Sequence, residues 1–222
     1  MTTLQHAAPT TAAASSSTRT LLTLAAVAAP LWAAVSLAQA FTRDGFDLTR
    51  HPLSMLSTGL LGWLQVANFL VGGALTVAGA IGLRRAMRGA PGGTWTPRLV
   101  AVNGLGMMAA GVFSMDPGDG FPVGTPAGIP AEMSWHAVLH MVAGSVSFTA
   151  LIAACFVLGH HFSRTGDRGR AIASRIVGVV FILGDGWAMS GGQAGSLTLA
   201  VGTLTGMLWV SAVAAHLRKA AS

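Results

Sequence analysis

The chain has 222 residues, of which 52% are hydrophobic and only 9% charged, and its formal net charge is +6. Soluble domains carry roughly 25% charged residues, so this composition excludes an ordinary soluble domain and favours helices in lipid. The positive charge does not indicate nucleic-acid binding, because the basic residues lie in short tracts between apolar runs. The single cysteine, Cys155, excludes an internal disulfide and a cysteine-based metal site.

In chain order, residues 1–18 are rich in Ala, Thr and Ser and predict a disordered cytoplasmic tail. Residues 19–217 predict one all-α domain, a bundle of six transmembrane helices. Each apolar run is long enough, at about 1.5 Å per residue, to cross the hydrocarbon core of about 30 Å. The predicted spans cover about residues 20–40, 60–83, 97–115, 135–158, 172–189 and 196–216. The first run ends in Ala38-Gln39-Ala40, which resembles a signal-peptidase site, so cleavage there is an alternative to a retained span.

The basic residues predict the orientation of the helices. Eleven of the 13 Lys and Arg residues fall before the first span, after the last, or in the loops at 84–98 and 164–175. Because cytoplasmic loops are enriched in Lys and Arg, both termini are predicted to be cytoplasmic. The expected location is the inner (plasma) membrane, as a multi-pass protein.

Three histidines near the opposite membrane face are candidate metal ligands. His136 and His140 are four residues apart on one predicted helix, so their side chains share a face, and His51 lies in the first outer loop. Zinc is therefore a candidate cofactor, although no cofactor is firmly indicated. The alternative is that the histidines form hydrogen bonds with neighbouring helices or loop backbone.

Two acidic residues are candidate catalytic groups. Asp185 lies within the fifth predicted span, where an acid costs about 2.5–3.5 kcal/mol on insertion scales and needs a partner such as His140, His136, Arg50 or a water-filled cavity. The alternative is bonding to helix hydroxyls or glycine backbone. Asp116 precedes Pro117, so it is also consistent with a turn that ends the third helix.

Four further residues predict a polar pocket at the outer face. Asp47 and Arg50 belong to the first outer loop, while Gln65 and Asn68 are three apart on the second helix. Asp47 and Arg50 are alternatively explained by loop anchoring. Asn103 is the polar residue predicted to lie deepest.

Four strings carry a family resemblance: GFDLTRHPLS at 45–54, GWLQVANF at 62–69, DPGDGFPVGTP at 116–126 and SWHAVLH at 134–140. They resemble the bacterial membrane family catalogued as domain of unknown function 998, across about residues 20–217. The resemblance implies a six-helix bundle and no known reaction. The His-x-x-x-His pair also resembles that of the alkaline ceramidase and progestin-receptor-like superfamily, which has seven helices and a histidine-bound zinc.

Three functions are consistent with these observations. The first is a binding or scaffold protein with an outward-facing pocket for a small molecule or lipid. The second is a metal-dependent hydrolase of a lipid amide or ester, in which zinc-bound water would attack. The third is a proton-coupled small-molecule transporter with Asp185 and His140 as relay residues. Membrane lipids are the expected partners, and whether the protein is an enzyme is left open.

Overall fold

Six α-helices form the fold, and the computed structural model describes residues 11–128 and 130–220. A short 3-10 helix, Leu53–Ser57, lies between the first and second α-helices, and the described residues contain no β-strand. The α-helices are α1 (Thr11–Thr42), α2 (Gly62–Ala86), α3 (Trp95–Val112), α4 (Trp135–Arg164), α5 (Arg168–Met189) and α6 (Gly195–Ala220). The predicted all-α class is confirmed.

Five of these helices, all but α3, are long and apolar enough to cross a membrane. The chain is accordingly a multi-pass membrane protein. The 18 residues of α3 include Trp95, Pro97, Arg98 and Asn103, which lower its mean hydropathy.

The helices differ from the predicted spans mainly at their ends. Helix α4 continues to Arg164 and α5 begins at Arg168, so the loop predicted between them shrinks to a tight turn. Helix α3 ends at Val112, before the predicted position 115. Helix α1 begins at Thr11, inside the segment predicted as a tail, and residues 1–10 of that segment lie outside the described residues.

The six helices form a closed ring. Each helix packs against its neighbours in the chain, and α1 closes the ring by packing against α6. Helices α2 and α3 approach closely at Gly73 and Gly104, where a Cβ added to Gly73 would lie 2.5 Å from the Gly104 carbonyl oxygen. Small residues at such crossings allow the van der Waals contact on which helix association in lipid depends.

Contacts between helix ends sort the chain into two ends of the bundle. At one end, the basic end, Arg85 of α2 donates to Ser17 of α1 at 2.9 Å. His161 of α4 donates through Nδ1 to the carbonyl oxygen of Pro91, which precedes α3, at 2.8 Å. The opposite end is called the outer end, because the sequence predicts that it faces away from the cytoplasm. There, Ser196 of α6 donates to the carbonyl oxygen of Arg50 in the α1–α2 loop at 2.8 Å. Helix α3 therefore extends from the basic end to the outer end, alongside α2 and α4.

Candidate ligand-binding site

A cavity of about 150 Å³ lies inside the ring of helices. It extends from the outer end, where Pro52, Leu53 and Ser54 line it, to Asn103 and Met207 deep in the bundle. Its walls are mostly apolar, and all six helices contribute to them. One water needs about 10–15 Å³ of such space, so this cavity has room for a small molecule. We call it the central cavity.

Two polar atoms of the central cavity have no partner in the protein. The indole Nε1 of Trp32 on α1 and the hydroxyl of Thr203 on α6 are both buried without a hydrogen bond within the described residues. Both side chains line the cavity, and their residues are 3% and 8% exposed. A buried polar group without a partner costs about 1–3 kcal/mol, so a molecule that hydrogen-bonded to these two groups would be stabilised.

His140 on α4 presents one ring nitrogen to the same cavity. Its Nδ1 lies 2.8 Å from the carbonyl oxygen of Ala110 and 2.7 Å from that of Phe113. Both neighbours are acceptors, so Nδ1 carries the proton and Nε2 has a free lone pair. The described residues offer Nε2 no hydrogen-bond donor. His140 therefore provides the cavity with a fixed acceptor.

Asp185 on α5 lies half-buried at the cavity wall. Its carboxylate has neither an ion pair nor a hydrogen bond among the described residues. Neither the candidate partners His136, His140 and Arg50 nor the helix hydroxyls of the alternative explanation contact it. The structure brings Asp185 and His140 to one cavity, but not into contact with each other.

Asn103 and Met207 separate the central cavity from a smaller one of about 10 Å³ that lies towards the basic end, and both residues line both cavities. The side-chain amide of Asn103 donates to the hydroxyl of Ser147 at 2.8 Å, and that hydroxyl donates to the backbone carbonyl oxygen of Asn103 at 3.1 Å. This reciprocal pair joins α3 to α4 and forms the floor of the central cavity.

The other candidate metal ligands lie away from the cavity lining. His51 is 1% exposed and uses both ring nitrogens: Nδ1 accepts from the Asp47 backbone amide at 2.9 Å, and Nε2 donates to the Asp119 carbonyl oxygen at 2.9 Å. His136 stacks on Trp135, with ring centroids 3.5 Å apart. Among residues 11–128 and 130–220, no three His, Cys, Asp or Glu side chains gather as a metal site would require.

Asp116 and Asp47 hold loop backbone. The Asp116 carboxylate accepts from the amide and the hydroxyl of Ser134, the residue that caps α4, at 2.7 and 2.6 Å. The Asp47 carboxylate accepts from the hydroxyl and the amide of Thr49, and these bonds lower the pKa of Asp47. These are the anchoring roles that the sequence left as alternatives.

Arg50 joins the two outer loops to each other. Its guanidinium donates to the Asp119 carboxylate at 2.7 and 3.1 Å, in the bidentate geometry typical of Arg–carboxylate pairs. These bonds lower the pKa of Asp119 and raise that of Arg50. The joined loops lie over the outer end of the bundle. The segment Pro52–Ser54 of the α1–α2 loop contributes to the cavity wall.

Gln65 and Asn68 belong to a buried network between α1 and α2 and do not line the cavity. The Gln65 carbonyl oxygen accepts from Gln39 at 2.8 Å, and its amide donates to Ser36 at 3.0 Å. Asn68 donates to the backbone oxygen of Trp32 at 3.0 Å. Of the four predicted pocket residues, two thus form a helix–helix contact and two form loop contacts.

Trp32 and Thr203 were not among the site residues predicted from the sequence. Trp is enriched at membrane interfaces, so a tryptophan well inside a predicted span was a usable signal for Trp32. Thr203 gave no such signal, because threonines in helices commonly donate to the carbonyl four residues earlier, as Thr205 does at 2.6 Å.

The sequence profile of the family described as "Protein of unknown function (DUF998)" matches residues 26–216, and the chain belongs to that family. The family resemblance seen in the loop strings is thereby confirmed. No curated protein and no solved structure matches the chain.

Proposed function

We propose that this DUF998 member is a membrane protein that binds a small ligand in the central cavity. The observation that carries the proposal is the pair of buried, unpartnered polar atoms, Trp32 Nε1 and Thr203 Oγ1, on two residues of neighbouring helices that line a mostly apolar cavity. Ligand sites are typically apolar cavities with a few well-placed polar groups. Trp32 and Thr203 supply donors, and His140 Nε2 supplies an acceptor.

The charged residues that line the central cavity indicate which polar group the ligand carries. No Lys or Arg of the described chain lines the cavity, whereas the Asp185 carboxylate does. An anionic group such as a phosphate would have no cationic partner here, and burying it would be costly. A hydroxyl or an amine can donate to His140 Nε2 or to Asp185, and a hydroxyl can also accept from Trp32. The ligand class is therefore a molecule with a hydroxyl or amine group and an apolar remainder.

Native mass spectrometry of the purified protein tests this proposal. We expect wild-type protein to carry a bound small molecule, and Thr203→Val to lose part of it, because one hydrogen bond of about 0.5–1.5 kcal/mol is removed. Thr205→Val is the matched control, since Thr205 lies on the same helix and donates to its own backbone. Wild-type protein without any bound molecule, or equal occupancy in both variants, would overturn the proposal.

We propose a topology of six spans across the inner (plasma) membrane, with both termini in the cytoplasm. Support comes from the arginine-rich α2–α3 loop and α4–α5 turn, which lie at the same end as the α6 terminus. If α3 did not cross the membrane, the α4–α5 turn and the α6 terminus would lie outside, against the positive-inside rule. In intact cells an impermeant thiol reagent should label Glu132→Cys and fail to label Arg88→Cys; the reverse pattern would contradict this orientation.

Proton-coupled transport is a second candidate, favoured by the presence of Asp185 and His140 on one cavity and by the smaller cavity beyond Asn103 towards the basic end. The test measures whether a pH gradient drives the accumulation of ethidium, a cation with a large apolar surface, in proteoliposomes. Asp185→Asn should abolish accumulation under this mechanism. Wild-type proteoliposomes that do not differ from protein-free vesicles would rule out transport of such cations.

A further inference from the structure

Helices α4 and α5 pack together near the basic end and separate towards the outer end. In the packed half, the rings of Phe148 and Phe181 lie 5.4 Å apart, and a Cβ added to Gly178 would lie 2.9 Å from the Phe156 ring. Beyond Phe148, the wall of the central cavity is formed by Gly144 on α4 and Asp185 on α5. A Cβ added to Gly144 would meet no atom within 4 Å. The cavity therefore occupies the gap between the two helices.

Exposure shows on which side this gap opens. Two lining residues on the neighbouring helices α1 and α6 are buried: Trp32 (3% exposed) and Met207 (6%). Two lining residues at the gap are exposed: Met141 of α4 by 36% and Met189 of α5 by 65%. Both methionines lie on membrane-spanning helices. The face on which the gap opens is therefore one that lipid chains cover.

We infer that the central cavity opens sideways, between α4 and α5, into the lipid, and that its ligand is an amphiphile dissolved in the membrane with an amine or hydroxyl head group. This inference rests on the proposed ligand-binding function and specifies where the ligand comes from. The apolar tail would leave through the gap, past Met141 and Met189, while the head group reaches Trp32, Thr203 and His140. The Asp185 carboxylate at the gap favours an amine and disfavours a phosphate.

The route of entry is tested on the Thr203→Cys variant in vesicles with two maleimides of equal reactivity. One maleimide carries pyrene, and the other carries a quaternary ammonium group. The wild-type chain is the blank, since its one thiol, Cys155, is fully buried. The labelling rate of Glu132→Cys, in an outer loop, is the reference for each reagent's reaction in water. We expect the charged reagent to label Thr203→Cys on the order of a hundredfold more slowly than the pyrene reagent, because a charge is costly inside the bilayer.

A plug in the gap provides the second arm. Gly144→Phe in the Thr203→Cys background should remove most of the pyrene labelling, because the ring would occupy the opening. Gly186→Phe is the matched control: Gly186 is an exposed glycine of α5 where an added Cβ also meets no atom within 4 Å, and it does not line the cavity. Met207→Cys, deeper in the cavity, replaces Thr203→Cys if that variant does not elute as folded protein.

Three outcomes overturn the inference: equal labelling by both reagents, labelling that is insensitive to Gly144→Phe, or no labelling of either cysteine variant. The first would mean entry from water past the outer loops, and would leave a cavity ligand in place. An empty cavity in native mass spectrometry would instead remove the proposed ligand, while the labelling ratio would still report the lateral opening. Failure of the inference and failure of the proposed function are thereby distinguished.

Discussion

Trp32 and Thr203, on α1 and α6, both line the central cavity, and each has a buried polar atom without a partner among the described residues. Two other buried polar atoms of the described residues, Gln39 Oε1 and Thr96 Oγ1, also lack a partner, but their residues do not line the cavity. An unsatisfied buried donor is costly because lipid offers it no replacement partner. Trp32 and Thr203 line the central cavity, so a molecule bound there is an available partner for both.

The Arg50–Asp119 pair makes the attachment of the outer loops depend on pH. Hydrogen bonds from Arg50 and from the Gly128 amide lower the pKa of Asp119 below 3.8. The pair's contribution to stability is therefore complete above about pH 3.8 and is lost as the pH falls through the lowered pKa. A fluorophore on Val123→Cys should gain mobility in that acid range.

Asp119→Asn should show this mobility already at neutral pH, and should lose most of the acid transition. Asp44→Asn is the control, because Asp44 is an exposed acid of the same outer region. A transition that survives unchanged in Asp119→Asn would assign the pH dependence to another group, with Asp47 as the first candidate, since its pKa is also lowered.

The contact at Gly73 should be sensitive to a single methyl group. A Cβ there would lie 2.5 Å from the Gly104 carbonyl oxygen and 2.6 Å from the Met108 side chain. Overpacking of this kind costs about 1–3 kcal/mol, so Gly73→Ala should lower the free energy of unfolding by that amount in a detergent titration. Gly144→Ala, where the Cβ has open space, should be neutral or stabilising. Equal effects of the two variants would contradict the close helix approach.

The network around Gln65 should stabilise the α1–α2 pair. Replacing Gln65 with Leu removes the acceptor used by Gln39 and the donor that reaches Ser36, which leaves buried polar groups unpaired. The expected loss is about 1–3 kcal/mol in the free energy of unfolding. Thr76→Val is a suitable reference, because Thr76 bonds to the carbonyl of Gly72 in its own helix. A loss no larger than that of the reference would mean that the network contributes little.

Metal content tests the hydrolase hypothesis directly. His51 has both ring nitrogens engaged, and the described chain contains no cluster of three ligands, so we expect purified protein to hold substoichiometric zinc. Elemental analysis of wild type and His140→Ala decides the question. Stoichiometric zinc that disappears in His140→Ala would instead make the hydrolase the leading hypothesis.

Sequence patterns were informative where a feature depends on the composition of its own segment. They were uninformative where a feature depends on which loops contact each other. Hydropathy predicted the helices, and the cost of an intramembrane acid singled out Asp185, which does line the central cavity. The contacts of His51 could not be foreseen, because its partner Asp119 lies 68 residues away in another loop. Likewise, the lack of a partner for Thr203 depends on how α6 is rotated against α1, which composition does not specify.

The most direct test of a ligand in the central cavity is a cryo-electron microscopy map of the protein in nanodiscs of its native lipids. We expect non-protein density with a polar end within about 3.2 Å of both Trp32 Nε1 and Thr203 Oγ1, and with the remainder extending towards the gap between α4 and α5. A central cavity that is empty, or filled by separate waters alone, would contradict it.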